Sequence, residues 1–93
     1  MVIGSCNMEL LIYEVNSLKE KRQILKSIIG RIKSRFNVSI GEVGLNDLWR
    51  RAEVGVVCVS TNTRHALQMI DKVVEFIEND GRVEIISCNR ETL

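Results

Sequence analysis

The sequence predicts an α+β fold in which two helices cover one face of a four-stranded antiparallel sheet. Three observations carry this. Apolar residues recur with a period of two or in short β-branched runs in four segments, and with the 3.6-residue helical period in two others. The segments follow the order strand, helix, strand, strand, helix, strand. With 93 residues there is room for one domain, spanning 1–93, and one hydrophobic core. Right-handed connections through two split β-α-β units then close as a ferredoxin-like sandwich with spatial strand order 4-1-3-2.

Between Val2 and Tyr13 the even positions Val2, Cys6, Met8, Leu10 and Ile12 alternate with Ser5, Asn7 and Glu9, the pattern of a half-buried strand. Ile3, Leu11 and Tyr13 add apolar character to its second face. Ser17 and Glu20 then form an S-x-x-E capping box, in which each side chain satisfies a backbone N–H left open at a helix start. The helix is expected to run to about Phe36, with Leu18, Ile24, Leu25, Ile28, Ile29, Ile32 and Phe36 on its apolar side.

Val38, Ile40 and Val43 mark the second strand, and their change of parity implies a bulge or strand end near Gly41. Gly44-Leu45-Asn46-Asp47 reads as a turn, and Ala52 to Ser60 as a third strand with valines on both faces. A second helix is expected from about Asn62 to Asn79, closed by Asn79-Asp80-Gly81 with the glycine in the left-handed position past the helix end. Val83, Ile85 and Ile86 give the last strand. The expected core includes Leu25, Ile29, Ile32, Ile70, Val73 and Ile77.

Charge is distributed unevenly. From Ser17 to Arg35 there are seven cations (Lys19, Lys21, Arg22, Lys26, Arg31, Lys33, Arg35) against one acid, Glu20, which gives +6 in a chain whose total is +1 and leaves −5 for the rest. Such polarity marks a surface suited to an anionic partner. Cys6, Cys58 and Cys88 are widely spaced and each falls in an apolar strand pattern, as reduced thiols used as small hydrophobes do. No basic leader or membrane-length apolar run is present, so a cytoplasmic protein without a membrane is expected. The chain contains no C-x-x-C, H-x-x-x-H, G-x-x-x-x-G-K or G-x-S-x-G, and His65 is its one histidine, so neither a metal, a cofactor nor a catalytic residue is assigned.

The run Ser17-Leu18-Lys19-Glu20-Lys21-Arg22, with Phe36-Asn37-Val38-Ser39, Glu42-Val43, Asp47-x-Trp49 and Gly55, resembles the YlxP-like family of small bacterial proteins over nearly the whole chain. The resemblance implies a ferredoxin-like domain without an assigned enzymatic activity. Genes of this family tend to neighbour those of translation and ribosome-maturation factors, which implies a role around RNA or the ribosome. Gly44 departs from the polar residue such proteins often carry there.

On a helical wheel Lys19, Arg22, Lys26 and Lys33 form one stripe beside the apolar face, and Arg31 and Arg35 lie on its other flank. Such an array suits phosphates, and equally a solvated face whose long stems cover the core edge. Lys21 projects into the apolar sector, so its ammonium either snorkels round the helix start or pairs with Glu42 or Asp47. Trp49 is read as a core plug before a stacking platform, and Arg50 and Arg51 extend the basic surface if they face the first helix. His65 is a packing or capping residue. The strand order brings the three cysteine strands together, but without a fourth ligand a metal cluster is not expected.

Two functions follow. One is a non-enzymatic protein that binds structured RNA or a ribosomal particle through the basic helix; the third strand lacks the aromatics of an RNA-recognition motif, so the open sheet face is not the platform. The other is a homo-oligomeric interaction or scaffold module, most simply a dimer, joined through Ile3, Leu11, Val57 and Val59 on the helix-free face. A small hydrolase of acylphosphatase type would need a phosphate-cradling loop after the first strand, and Glu14-Val15-Asn16-Ser17 has no glycine.

Overall fold

The computed structural model describes residues 1–93 and contains β1 (Val2–Ile12), α1 (Leu18–Arg35), β2 (Ser39–Gly44), β3 (Arg51–Ser60), α2 (Thr63–Glu78) and β4 (Val83–Thr92). The four strands form an antiparallel sheet in the order β2-β3-β1-β4, which is the expected ferredoxin-like arrangement of an α+β fold. α1 lies over the β2 side and α2 over β1, β3 and β4.

The period-two pattern translates directly into two faces. Cys6, Met8, Leu10 and Ile12 of β1 and Ala52, Val54, Val56 and Cys58 of β3 point at the helices and belong to a core of 19 buried apolar residues. Leu25, Ile32, Ile70, Val73 and Ile77 meet them from the helix layer, whereas Ile29 is half-buried at its edge. Where the C-terminus of α1 meets the C-terminal part of α2, the rings of Phe36 and Phe76 pack edge to face, with centroids 6.1 Å apart.

α1 starts as its sequence dictates. The Glu20 N–H donates to Ser17 Oγ at 3.1 Å, and the Glu20 carboxylate accepts from the Asn16 N–H at 3.2 Å, one residue before the position a reciprocal box would use. α2 starts on Asn62, whose Oδ1 accepts the His65 N–H at 2.8 Å, while His65 Nδ1 lies 3.0 Å from Ser60 Oγ. His65 thus helps frame a helix start on the surface.

Three local expectations need correction. The bulge of β2 falls between Glu42 and Gly44 rather than near Gly41, because the ladder with β3 stays regular through Gly41–Gly55 and slips only at Val43. Gly81 is not left-handed, since no glycine has positive φ. Instead α2 ends on Asn79 in the right-handed region, and the Asp80 carboxylate receives the Arg82 backbone N–H at 2.9 Å and its guanidinium at 2.8 and 3.0 Å. Finally, β4 continues well past Ile86, through a polar segment that pairs with β1 as an edge strand.

The left-handed backbone positions are Glu14 and Leu45, with φ of 53° and 56°, in the loops after β1 and β2. Gly44, beside Leu45, faces the Glu53 side chain closely, so a side chain there would displace the Glu53 carboxylate.

Candidate nucleic-acid interface

The antiparallel order places three connections at one end of the sheet: β1 to α1, β2 to β3, and α2 to β4. Backbone hydrogen bonds from Ile12 N–H to Arg50 O and from Tyr13 N–H to Arg82 O tie them together. The N-terminus of α1 opens at this end, and the charged helix runs away from it over β2.

Lys21 fastens the helix to the loop. Its side chain is fully buried, and Nζ donates to Leu45 O at 2.8 Å and reaches Asn46 O at 3.5 Å. Glu42 Oε2 lies 3.0 Å from Nζ as a charge contact without hydrogen-bond alignment, and has no other partner. Of the two carboxylates expected to answer Lys21, Glu42 does so, while Asp47 stays exposed in the turn. The ammonium holds the carbonyl of the left-handed Leu45, so the loop is fixed from below by α1. Arg50 fixes its other side, with Nε donating to Val15 O at 3.3 Å.

The loop so held displays apolar groups outward. Trp49 is 51% exposed and Leu48 is 48% exposed. The expectation that Trp49 plugs the core is therefore wrong: the core under this loop is already closed by Val15, Ile12 and Ala52, all essentially inaccessible, and the indole has no space there. It is an aromatic displayed at the surface.

The four stripe residues Lys19, Arg22, Lys26 and Lys33 are all exposed, and none has a salt bridge or a side-chain hydrogen bond within the protein. Their offsets of three, four and seven residues keep them within about 60° of one another around the axis and spread them over about 21 Å along it. The opposite flank is used differently. The Arg35 guanidinium lies 5.1 Å from the centroid of the Phe76 ring, a cation–π contact with α2. Arg31 faces Asp80, whose carboxyl is held below its usual range first by the Arg82 hydrogen bond and to a smaller degree by Arg31. These two arginines therefore serve the helix-helix seam as well as the surface.

Arg51 lies elsewhere. It pairs across the sheet with Leu11 on the helix-free face and forms an ion pair with Glu9. It adds nothing to the positive side of the molecule, because strand alternation sends Arg50 and Arg51 to opposite faces.

The helix-free face is mixed in character. Ile3 lies opposite Val59, and Val57 follows on the same side of β3, with Val57 and Val59 42% and 64% exposed. Leu11 is at the other end of β1 between Arg51 and Glu84, separated from Ile3 by Ser5, Asn7 and Glu9. The four residues expected to form one patch form an apolar end of three plus an isolated leucine. Between them is a shallow depression of about 570 Å³ lined by residues that include Ser5, Asn7, Gly55 and Asn89. None of the strands carries an aromatic residue. Nowhere do three or more His, Cys, Asp or Glu side chains gather so as to hold a metal ion, and no helix is long and apolar enough to cross a membrane.

Comparison with known proteins gives two findings. The family model described as protein of unknown function (DUF503) matches residues 3–90. The chain is also 39% identical over 83 residues to the uncharacterized protein YlxP of Bacillus subtilis (strain 168), covering 89% of this chain and 90% of that protein.

Proposed function

The chain belongs to the DUF503 family of proteins of unknown function, and we propose that it is a cytoplasmic, non-enzymatic protein that binds structured RNA on a ribosomal particle. The observation that carries this reading is the stripe Lys19, Arg22, Lys26, Lys33: four exposed cations on one helix, spaced along about 21 Å and uncommitted to any acid of the protein. Long side chains that only solvate a helix commonly find an i,i+4 acid, and α1 offers them just Glu20, which is occupied at the helix start. Phosphates spaced along a nucleic-acid backbone match the stripe, and binding them releases counterions.

Trp49 and Arg50 extend the surface at the start of the helix. The exposed indole, on a loop whose Leu45 carbonyl is held by Lys21 and whose Arg50 is bonded to Val15 O, offers a stacking face for an unpaired base. Recognition by this route reads backbone, shape and single-stranded bases, while the sheet face, without aromatics, takes no part. The test is sedimentation of the tagged protein with ribosomal particles from lysate: association is expected at low salt, with release as salt is raised. No salt-sensitive association with ribosomal subunits or ribosomal RNA near physiological ionic strength would overturn it.

One observation favours a second, compatible reading as a homo-oligomeric scaffold. Exposed Val57 and Val59, with half-buried Ile3, form an apolar end on the helix-free face, and two-fold pairing of copies is the simplest way to cover it. Light scattering at micromolar concentration should then give at least twice the 10.6 kDa chain mass, returning to the monomer value in Val59→Lys. A monomer in the unsubstituted protein would remove this reading and leave the helix stripe unaffected.

A further inference from the structure

Cys6 and Cys88 lie on neighbouring strands and on the same, helix-facing side of the sheet. In the β1–β4 register Cys6 stands opposite Arg90 and Cys88 opposite Met8, so the two cysteines are diagonal neighbours. Their sulfurs are 2.9 Å apart, in thiol–thiol contact across 82 residues of sequence. Cys58 makes a different contact, toward Ala66 O at 3.6 Å. The pair is also asymmetric in access: Cys6 is buried, whereas Cys88, on the edge strand, is partly open to solvent.

We propose that Cys6 and Cys88 are a site of reversible oxidation, forming an intrachain disulfide that staples the edge strand β4 to β1. The partner is a low-molecular-weight disulfide such as glutathione disulfide. The Cys88 thiolate attacks one of its sulfurs, the external S–S bond breaks, and one glutathione leaves as thiolate. Cys6 then gives its proton to solvent base and its sulfur attacks Cys88 Sγ, expelling the second glutathione as thiolate. Two protein thiols are oxidised and one external disulfide is reduced to two thiols.

The order of attack follows from the surroundings. Burial first, and then the hydrogen bond with Cys88, push the Cys6 thiol up to about 12, against a smaller opposing effect of Arg90. Cys6 therefore stays protonated near neutrality, and the accessible Cys88 is the entry sulfur. The charged groups near the pair are Arg90 and Asp71, which form an exposed ion pair of 3.3 Å from β4 to α2. The staple acts where the edge strand is held least by side chains, since beyond Ile86 every residue but Cys88 is exposed.

Full-length protein is treated with glutathione disulfide in mildly alkaline buffer, denatured, alkylated and digested for mass spectrometry. A Cys6–Cys88 linked peptide is expected, with Cys58 alkylated, full reversal by dithiothreitol, and a melting temperature raised by ~10 °C in the oxidised form. The link should persist in Cys58→Ala and vanish in Cys88→Ser, where no intrachain disulfide replaces it. Three alkylated cysteines after treatment, a glutathione adduct that remains on Cys88, or linkage between chains instead of within one would each overturn the proposal. A melting temperature that falls on oxidation would overturn the stapling role.

Discussion

Lys21→Met is expected to destabilise the protein by about 3 kcal/mol. The methionine keeps the unbranched stem within the apolar sector, so the packing of α1 changes little. What is lost is the ammonium that meets Glu42, Leu45 O and Asn46 O. Removing one partner of a buried pair leaves the other uncompensated, and the Glu42 side chain is only 20% exposed, so solvent relieves it in part. The left-handed turn at Leu45 loses its tether in the same step. For a chain of this length the change corresponds to a fall of roughly 15 °C in melting temperature, measurable by thermal unfolding. Glu42→Gln placed on top should recover about half of the loss by removing the stranded charge. A Lys21→Met protein as stable as the original would mean that the pair contributes nothing net and that the Leu45 turn holds without it.

The position of Lys21 illustrates how far the sequence could be read. Helical periodicity places its stem in the apolar sector, so the ammonium either snorkels round the helix start or meets a carboxylate, with Glu42 and Asp47 as candidates. Which one answers depends on the strand register: Glu42 sits on the helix-facing side of β2 just before the bulge, and that bulge turns the following residues away. Periodicity in the sequence gives parity along each strand but does not place a slip to the residue, so a bulge expected near Gly41 is found at Val43.

Trp49 was opaque for a related reason. Composition says that tryptophan is usually buried, and no local pattern says that Val15, Ile12 and Ala52 have already filled the space beneath its loop. The polar half of β4 carries no alternation at all, because an edge strand with one exposed side and few core contacts needs none; its pairing with β1 is a tertiary fact. The basic stripe was legible because it depends on the helical period alone. The engagement of Arg35 with Phe76 was not, since it depends on where α2 docks.

Replacing Lys26 and Lys33 together by glutamine is expected to weaken RNA binding on the order of ten-fold near physiological salt and to flatten the log-log dependence of affinity on salt by about two units. Both residues are exposed and lie outside the apolar sector, and neither forms an ion pair within the protein, so thermal unfolding should be nearly unchanged. Glutamine keeps most of the aliphatic stem and the helix propensity, which separates loss of charge from loss of packing. Arg35, committed to the Phe76 ring, serves as the comparison: Arg35→Gln removes one positive charge from the same helix on its other flank and should change the slope by less than one unit. A uniform effect of any charge removal on α1 would point to net charge alone as the attraction. An effect confined to the stripe identifies the face that meets phosphate, and with Trp49 at one end of that face, quenching of indole fluorescence on binding gives the direction in which the RNA lies.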